Sequence, residues 1–165
     1  MYQVAVLPPV EALGTIEQFR RLHDPAFHRM PANVPLLPPF EPVRQDVLAR
    51  FDDLRCAPFD ARLGAPEAHG TSLILTMIEG AAEITALQSA LHVALLDPAA
   101  PPAEAPPSLR IGHFSSLPAL ELARRGLGTT EALPTFRVTQ VSLLLEDVRG
   151  IWHPVRERVL RGAPR

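Results

Sequence analysis

With 165 residues, 47% of them hydrophobic, the chain can bury the core of one domain or of two small lobes sharing one. No apolar run approaches the roughly 20 residues that span a bilayer, and a net charge of -2 excludes a broad basic surface for nucleic acid while leaving room for a local groove. The lone cysteine, Cys56, excludes an internal disulfide framework and argues against a structural zinc site.

Residues 2–7 form an apolar run closed by Pro8-Pro9, which predicts a strand ending at a turn. Residues 15–23 carry Ile16, Phe19 and Leu22 at helical spacing and stop at Asp24-Pro25, since the residue before proline is biased away from helix. Residues 33–40 read as extended, and Pro35 demotes that run to an edge strand or a bulge. A second helix is predicted over 43–54, with Val47, Leu48, Phe51 and Leu54 on one face.

Residues 59–63 alternate, 64–70 look like a turn between two glycines, and 71–78 read as a buried strand. Residues 81–96 are strong helix formers ending at Asp97-Pro98. The Pro/Ala stretch 98–107 is expected to be an exposed, semi-rigid connector. Beyond it come an extended segment at 109–115, a helix over 118–125 with a stop at Gly126 to Gly128, and strands over 136–146 and 152–160 around a turn at Asp147 to Gly150.

The two halves share an order. Residues 33–78 and 109–160 each run strand, helix, strand, strand, so an internal duplication is expected, with two lobes related by a pseudo-twofold axis. The chain reads as a single bilobed domain: an N-terminal half over about 1–97, the connector 98–107 and a C-terminal half over 108–165. In this pairing Asn33 matches His113 and Pro35 matches Ser115.

At these residues the chain resembles the two-histidine (2H) phosphoesterases, the superfamily of 2'-5' RNA ligase-like proteins and RNA 2',3'-cyclic phosphodiesterases. The family carries two His-x-Thr/Ser motifs, one per lobe, facing each other across a cleft. In the first motif region Leu36, Leu37, Pro39 and Phe40 fit, while Asn33 and Pro35 replace the histidine and the hydroxyl. In the second, Gly112-His113-Phe114-Ser115 retains both. The resemblance implies an α+β fold of two pseudo-twofold-related antiparallel-sheet lobes with helices outside, no cofactor and no metal.

The chemistry of that family needs two imidazoles. Opening a 2',3'-cyclic phosphate takes a base to activate water and an acid to protonate the departing ribose oxygen on the opposite side of phosphorus. The hydroxyl two residues on shares the strand face of its histidine and can bond a phosphate oxygen. The resemblance therefore implies His113 and Ser115 as surviving catalytic groups and Asn33 as a substrate-binding amide that carries no proton. Losing one acid/base partner costs roughly 10²- to 10⁴-fold in rate, so cyclic phosphodiesterase activity is expected to be weak or lost.

The expected partner is a nucleotide or an RNA with a phosphate end, met by a monomer in the cytoplasm and not at a membrane. Every basic residue is arginine, so any side-chain cation gripping phosphate is a guanidinium. Alternatives remain: a binding or scaffold module that kept only the fold, or a phosphoesterase recruiting another histidine. His28, in the loop before Asn33, and His69, in a second formal match at His69-Gly70-Thr71, are the candidates. Arg110 is expected on the face of Gly112, away from His113, and His23, His92, His153 and Trp152 are read as structural.

Overall fold

In the computed structural model, residues 1–41, 46–96, 106–127 and 133–162 are described. The elements run β1 (Tyr2–Val6), α1 (Val10–Leu13), α2 (Thr15–His23), β2 (Val34–Pro35), α3 (Val47–Asp52), β3 (Phe59–His69), β4 (Ser72–Glu79) and α4 (Ala81–Leu95), followed by β5 (Ser108–His113), α5 (Leu117–Leu127), β6 (Thr135–Val138), β7 (Gln140–Glu146) and β8 (Trp152–Val159). The strands form two four-stranded sheets, ordered β2-β1-β7-β8 and β5-β4-β3-β6, with every pairing antiparallel. The architecture is the expected bilobed α+β fold.

The lobes are not the two sequence halves. The first sheet joins β1 and β2 to β7 and β8 from the far end of the chain, and the second takes all its strands from the middle. The repeat predicted from local order missed this because strand pairing is non-local. The two strands it paired do meet, since β2 and β5 are each the edge strand of their sheet and lie against one another at the joint.

Alternation along the strands decides what faces the helices and what faces the joint. On β1 and β7, Val4, Val6, Val141 and Leu143 belong to the hydrophobic core. Gln3 and Ala5 point the other way, opposite Leu144 and Ser142 in the ladder. Helix α4 buries Ile84, Leu87, Leu91 and Leu95, an i, i+3, i+7, i+11 stripe that packs with Leu73, Leu75 and Leu109 in the same core.

Several expectations are corrected by tertiary context. The turn placed at 64–70 is strand, because β3 runs to His69 with register shifts absorbing the irregular middle, and the reversal is confined to Gly70-Thr71. Gly70 there has φ 58°, a conformation that only glycine adopts cheaply. Helix α5 continues through Gly126 to Leu127. Leu48 is 43% exposed and leaves the apolar face of α3. The expected helical start at 43–45, most of the connector 98–107 and Gly128 lie outside the described residues. No helix among the described residues is long and apolar enough to cross a membrane.

Candidate functional site

The joint between the sheets opens into a cleft of about 570 Å³, within the size range of small-molecule sites. From β2 and its approach come Asn33 and Pro35, from β5 Ser108 and Arg110, from β1 Gln3 and from β8 Trp152. The segment after α2 adds Asp24, Arg29 and Met30.

Pro35 holds its place because β2 is a two-residue edge strand, where a missing N–H breaks no ladder. Its carbonyl accepts from Gln88 Nε2 at 3.2 Å. Asn33 Nδ2 donates to the Pro31 carbonyl at 2.9 Å, which fixes the side chain and engages one of its two amide hydrogens.

On β5 a β-bulge decides the orientation. Leu73 pairs with Gly112 and the next residue, Ile74, pairs with Arg110, so Ile111 is the extra residue. Ser108, Arg110 and His113 consequently share the open side of the strand, while Leu109, Ile111 and Gly112 are buried. Plain alternation puts Arg110 with Gly112; the bulge reverses that expectation. Gly112 is required by close approach, since a Cβ there would sit 2.8 Å from Phe114 Cε2 and 3.4 Å from His23 Cβ.

Arg110 reaches across the joint to α2, its Nη2 3.3 Å from Asp24 Oδ1. Asp24 is 6% exposed and also accepts from the Ala26 N–H at 3.0 Å and from Arg20 at 3.1 Å and 3.3 Å. Arg20, 2% exposed, further donates to the Met30 carbonyl at 3.2 Å and to Glu17 at 3.3 Å. Both Asp24 oxygens are thus occupied, and it serves to position Arg110. Arg29 lines the same cleft with no ion-pair partner among the described residues. The cleft offers an anion two guanidiniums, a serine hydroxyl and amide groups.

His113 is not in that cleft. With Ser115 it lines a separate, more open hollow beside His23, His28 and Phe114, on the other side of Asp24. His113 Nδ1 lies 3.0 Å from Ser72 Oγ. Because β5 ends at His113, Ser115 falls in the bend before α5 and has no strand face to share with it. His69 pairs with Ser72 in the ladder, so His69, Ser72 and His113 form one row across three strands. The structure therefore brings His113 together with Ser115 and His28 but not with Asn33, and the residues that meet Asn33 and Pro35 across the joint are Ser108 and Arg110.

Neither His23 nor His153 lines the cleft. His23 stacks on Phe19 at 4.4 Å and on Phe114 at 5.5 Å, and His153 Nε2 contacts Asp147 Oδ2 at 3.2 Å. Trp152 departs from its expected core position and lines the cleft half-buried. Sequence reading missed Gln3, Asp24, Arg29 and Ser108. The one local signal was the Arg20/Asp24 spacing of four at a helix end, which looks the same whether a pair is buried or solvated. Among the described residues no group of His, Cys, Asp and Glu is arranged to hold a metal ion.

Comparison with known proteins places this geometry in a family. Escherichia coli LigT in complex with 3'-AMP superposes with a TM-score of 0.68 at 16% identity, covering 97% of each chain. A crystal structure of a phosphoesterase gives a TM-score of 0.67 at 17% identity over 97% of each chain. Kluyveromyces marxianus Usb1 gives 0.55 at 13% identity, over 93% of this chain and 97% of that one. These likenesses carry the fold, and a search of curated proteins finds no match. Residues 8–150 match the family profile described as the 2'-5' RNA ligase superfamily, and with most of its length so matched the chain belongs to that superfamily.

Proposed function

We propose that this protein binds a nucleotide-type phosphate ester in the cleft between its sheets and hydrolyses it slowly or not at all. One observation carries the reading: no histidine lines the cleft that holds Asn33 and Pro35, and Arg110 stands two residues after Ser108 where the family places a hydroxyl two residues after its second histidine. Ser108 and Arg110 are taken as the second motif's positions in place of His113 and Ser115. The site keeps electrostatic grip and loses the proton carriers that in-line opening of a cyclic phosphate requires. Escherichia coli LigT was crystallised with 3'-AMP, ATP and NADP+, which supports nucleotides as the ligand class. An RNA end bearing a phosphate is the larger form of that ligand, and a cytoplasmic monomer is the setting in which we read it.

The test is a titration with 3'-AMP alongside an assay on 2',3'-cyclic nucleotides and 2'-5'-linked oligonucleotides. Binding is expected, with turnover far below the roughly 1–10³ per second of ordinary enzymes. Turnover in that range sinks the reading, and so does the absence of any nucleotide binding.

A second reading rests on the His113–Ser72 contact with His28 in the same hollow. There His113 and His28 would act as the acid/base pair of a phosphoesterase, with Ser115 as its hydroxyl. It requires that His113→Ala abolish whatever turnover the assay finds.

A further inference from the structure

Gln3 projects from β1 toward the cleft, is 5% exposed, and its Oε1 has no hydrogen-bond partner. A buried acceptor left unpaired carries its full desolvation penalty, so a fold that needed only packing here would favour an apolar side chain. The position fits a group whose partner arrives with the ligand.

Its surroundings say what part of a ligand that is. Gln3 pairs with Leu144 in the β1–β7 ladder, and β7 continues to Glu146, which pairs with Trp152. Gln3 and Trp152 thus belong to one sheet and line one cleft, while Ser108 and Arg110 reach it from the other sheet at the joint. The cleft has an anion-binding side from one sheet and, from the other sheet, an aromatic surface and a buried acceptor. Aromatic rings stack on bases without regard to sequence, whereas an amide tests for a hydrogen-bond pattern. A glutamine amide presents an acceptor and a donor side by side, which complements an exocyclic amine next to a ring nitrogen, as in adenine.

We propose that Gln3 is the specificity-determining residue of the cleft, its Oε1 accepting a hydrogen bond from the exocyclic amine of a nucleobase that lies beside Trp152. This rests on the nucleotide reading above and goes beyond it by naming the base-reading group. Asn33 and Arg110 grip any phosphate ester; Gln3 distinguishes among them.

The full-length protein is titrated with 3'-AMP and with purine riboside 3'-monophosphate, which differs only in lacking the exocyclic amine. Wild type is expected to bind 3'-AMP about tenfold more tightly, and Gln3→Met, similar in volume, is expected to bring the ratio close to one. A Gln3→Met protein that keeps the tenfold ratio overturns the assignment and leaves the nucleotide reading standing. Failure of both nucleotides to bind wild type overturns both. Should Gln3→Met not fold, the side-chain amide resonances of Gln3 in wild type decide: a shift with 3'-AMP that is absent with the purine analogue supports the assignment, and equal shifts with both overturn it.

Discussion

The cleft and the histidine hollow share one face of β5 and are separated by a single carboxylate, yet they have opposite chemistry. Arg110 and Ser108 look into the cleft, and three residues further along, past a bulge, His113 looks into the hollow. Asp24 borders both and anchors Arg110 to α2. One side has Arg29, Arg110 and amides without an imidazole; the other has imidazoles and the Ser115 hydroxyl with Arg21 as its arginine. A motif can therefore look intact in sequence while its strand delivers it to a different surface.

The divider is the point of greatest leverage. Replacing Asp24 with Ala takes from buried Arg20 its closest carboxylate, leaving Nε without an acceptor and Nη2 with the Met30 carbonyl, while Nη1 keeps Glu17. Breaking a buried pair from one side costs about 3–5 kcal/mol. Chemical denaturation should show a loss of that size, with nucleotide affinity falling as well once Arg110 loses its anchor. A loss within 1 kcal/mol would mean that the two regions are not held apart by this pair.

Arg110→Ala addresses the cleft alone. Charge-assisted hydrogen bonds contribute about 1.5–3 kcal/mol, so 3'-AMP affinity should drop by roughly tenfold to a hundredfold, with stability changed much less because Arg20 still holds Asp24. Gly112→Ala addresses the hollow alone. The new Cβ would approach Phe114 Cε2 to 2.8 Å, and overpacking of this kind costs about 1–3 kcal/mol, read as a lower melting temperature. Nucleotide affinity should stay close to wild type if the cleft and hollow are energetically independent.

A pH experiment separates them by another route. The Ile151 N–H donates to the Asp147 carboxylate at 2.9 Å, and the Arg149 N–H does so at 2.8 Å. These bonds, that of Ile151 foremost, hold its pKa down to about 2. Folding thus favours the ionised form: the stabilisation is complete above the ordinary carboxylate range near pH 4 and fades as pH falls toward about 2. Asp147→Asn should melt below wild type at pH 6, and the gap should close by pH 2. The same turn carries Gly150 and leads into Trp152, both of which line the cleft, so acid should disturb the cleft before the hollow.

Much of this was legible in the residues. The apolar pattern of Leu36, Leu37, Pro39 and Phe40 pointed to the right family, and helix α2 begins and ends where its spacing and Asp24-Pro25 place it. Two facts were not legible, for the same reason. That β7 inserts beside β1 and that Ile111 bulges out of the β5 ladder are properties of pairing between distant segments, and a bulge of one residue turns every later side chain to the other face. Alternation counted from Ser108 gives the wrong face for His113, and matching His113 to Asn33 pairs two residues that line different cavities. The buried state of Arg20, Asp24 and Gln3 follows from the same long-range packing.

The smallest effect expected is the most discriminating. Trp152 is the protein's only tryptophan and lines the cleft, so its fluorescence should report a base bound beside it. His113 contacts Ser72 on the far side of Asp24 and does not line the cleft. His113→Ala should therefore leave both the 3'-AMP affinity and the accompanying Trp152 fluorescence change within about twofold of wild type, since substitutions outside a contact network typically change free energies by less than about 0.5 kcal/mol. A tenfold loss of affinity would join the two regions into one site and restore His113 to the part its motif implies. An unchanged titration, set beside the loss expected for Arg110→Ala, would locate the ligand by function on the Arg110 side of Asp24.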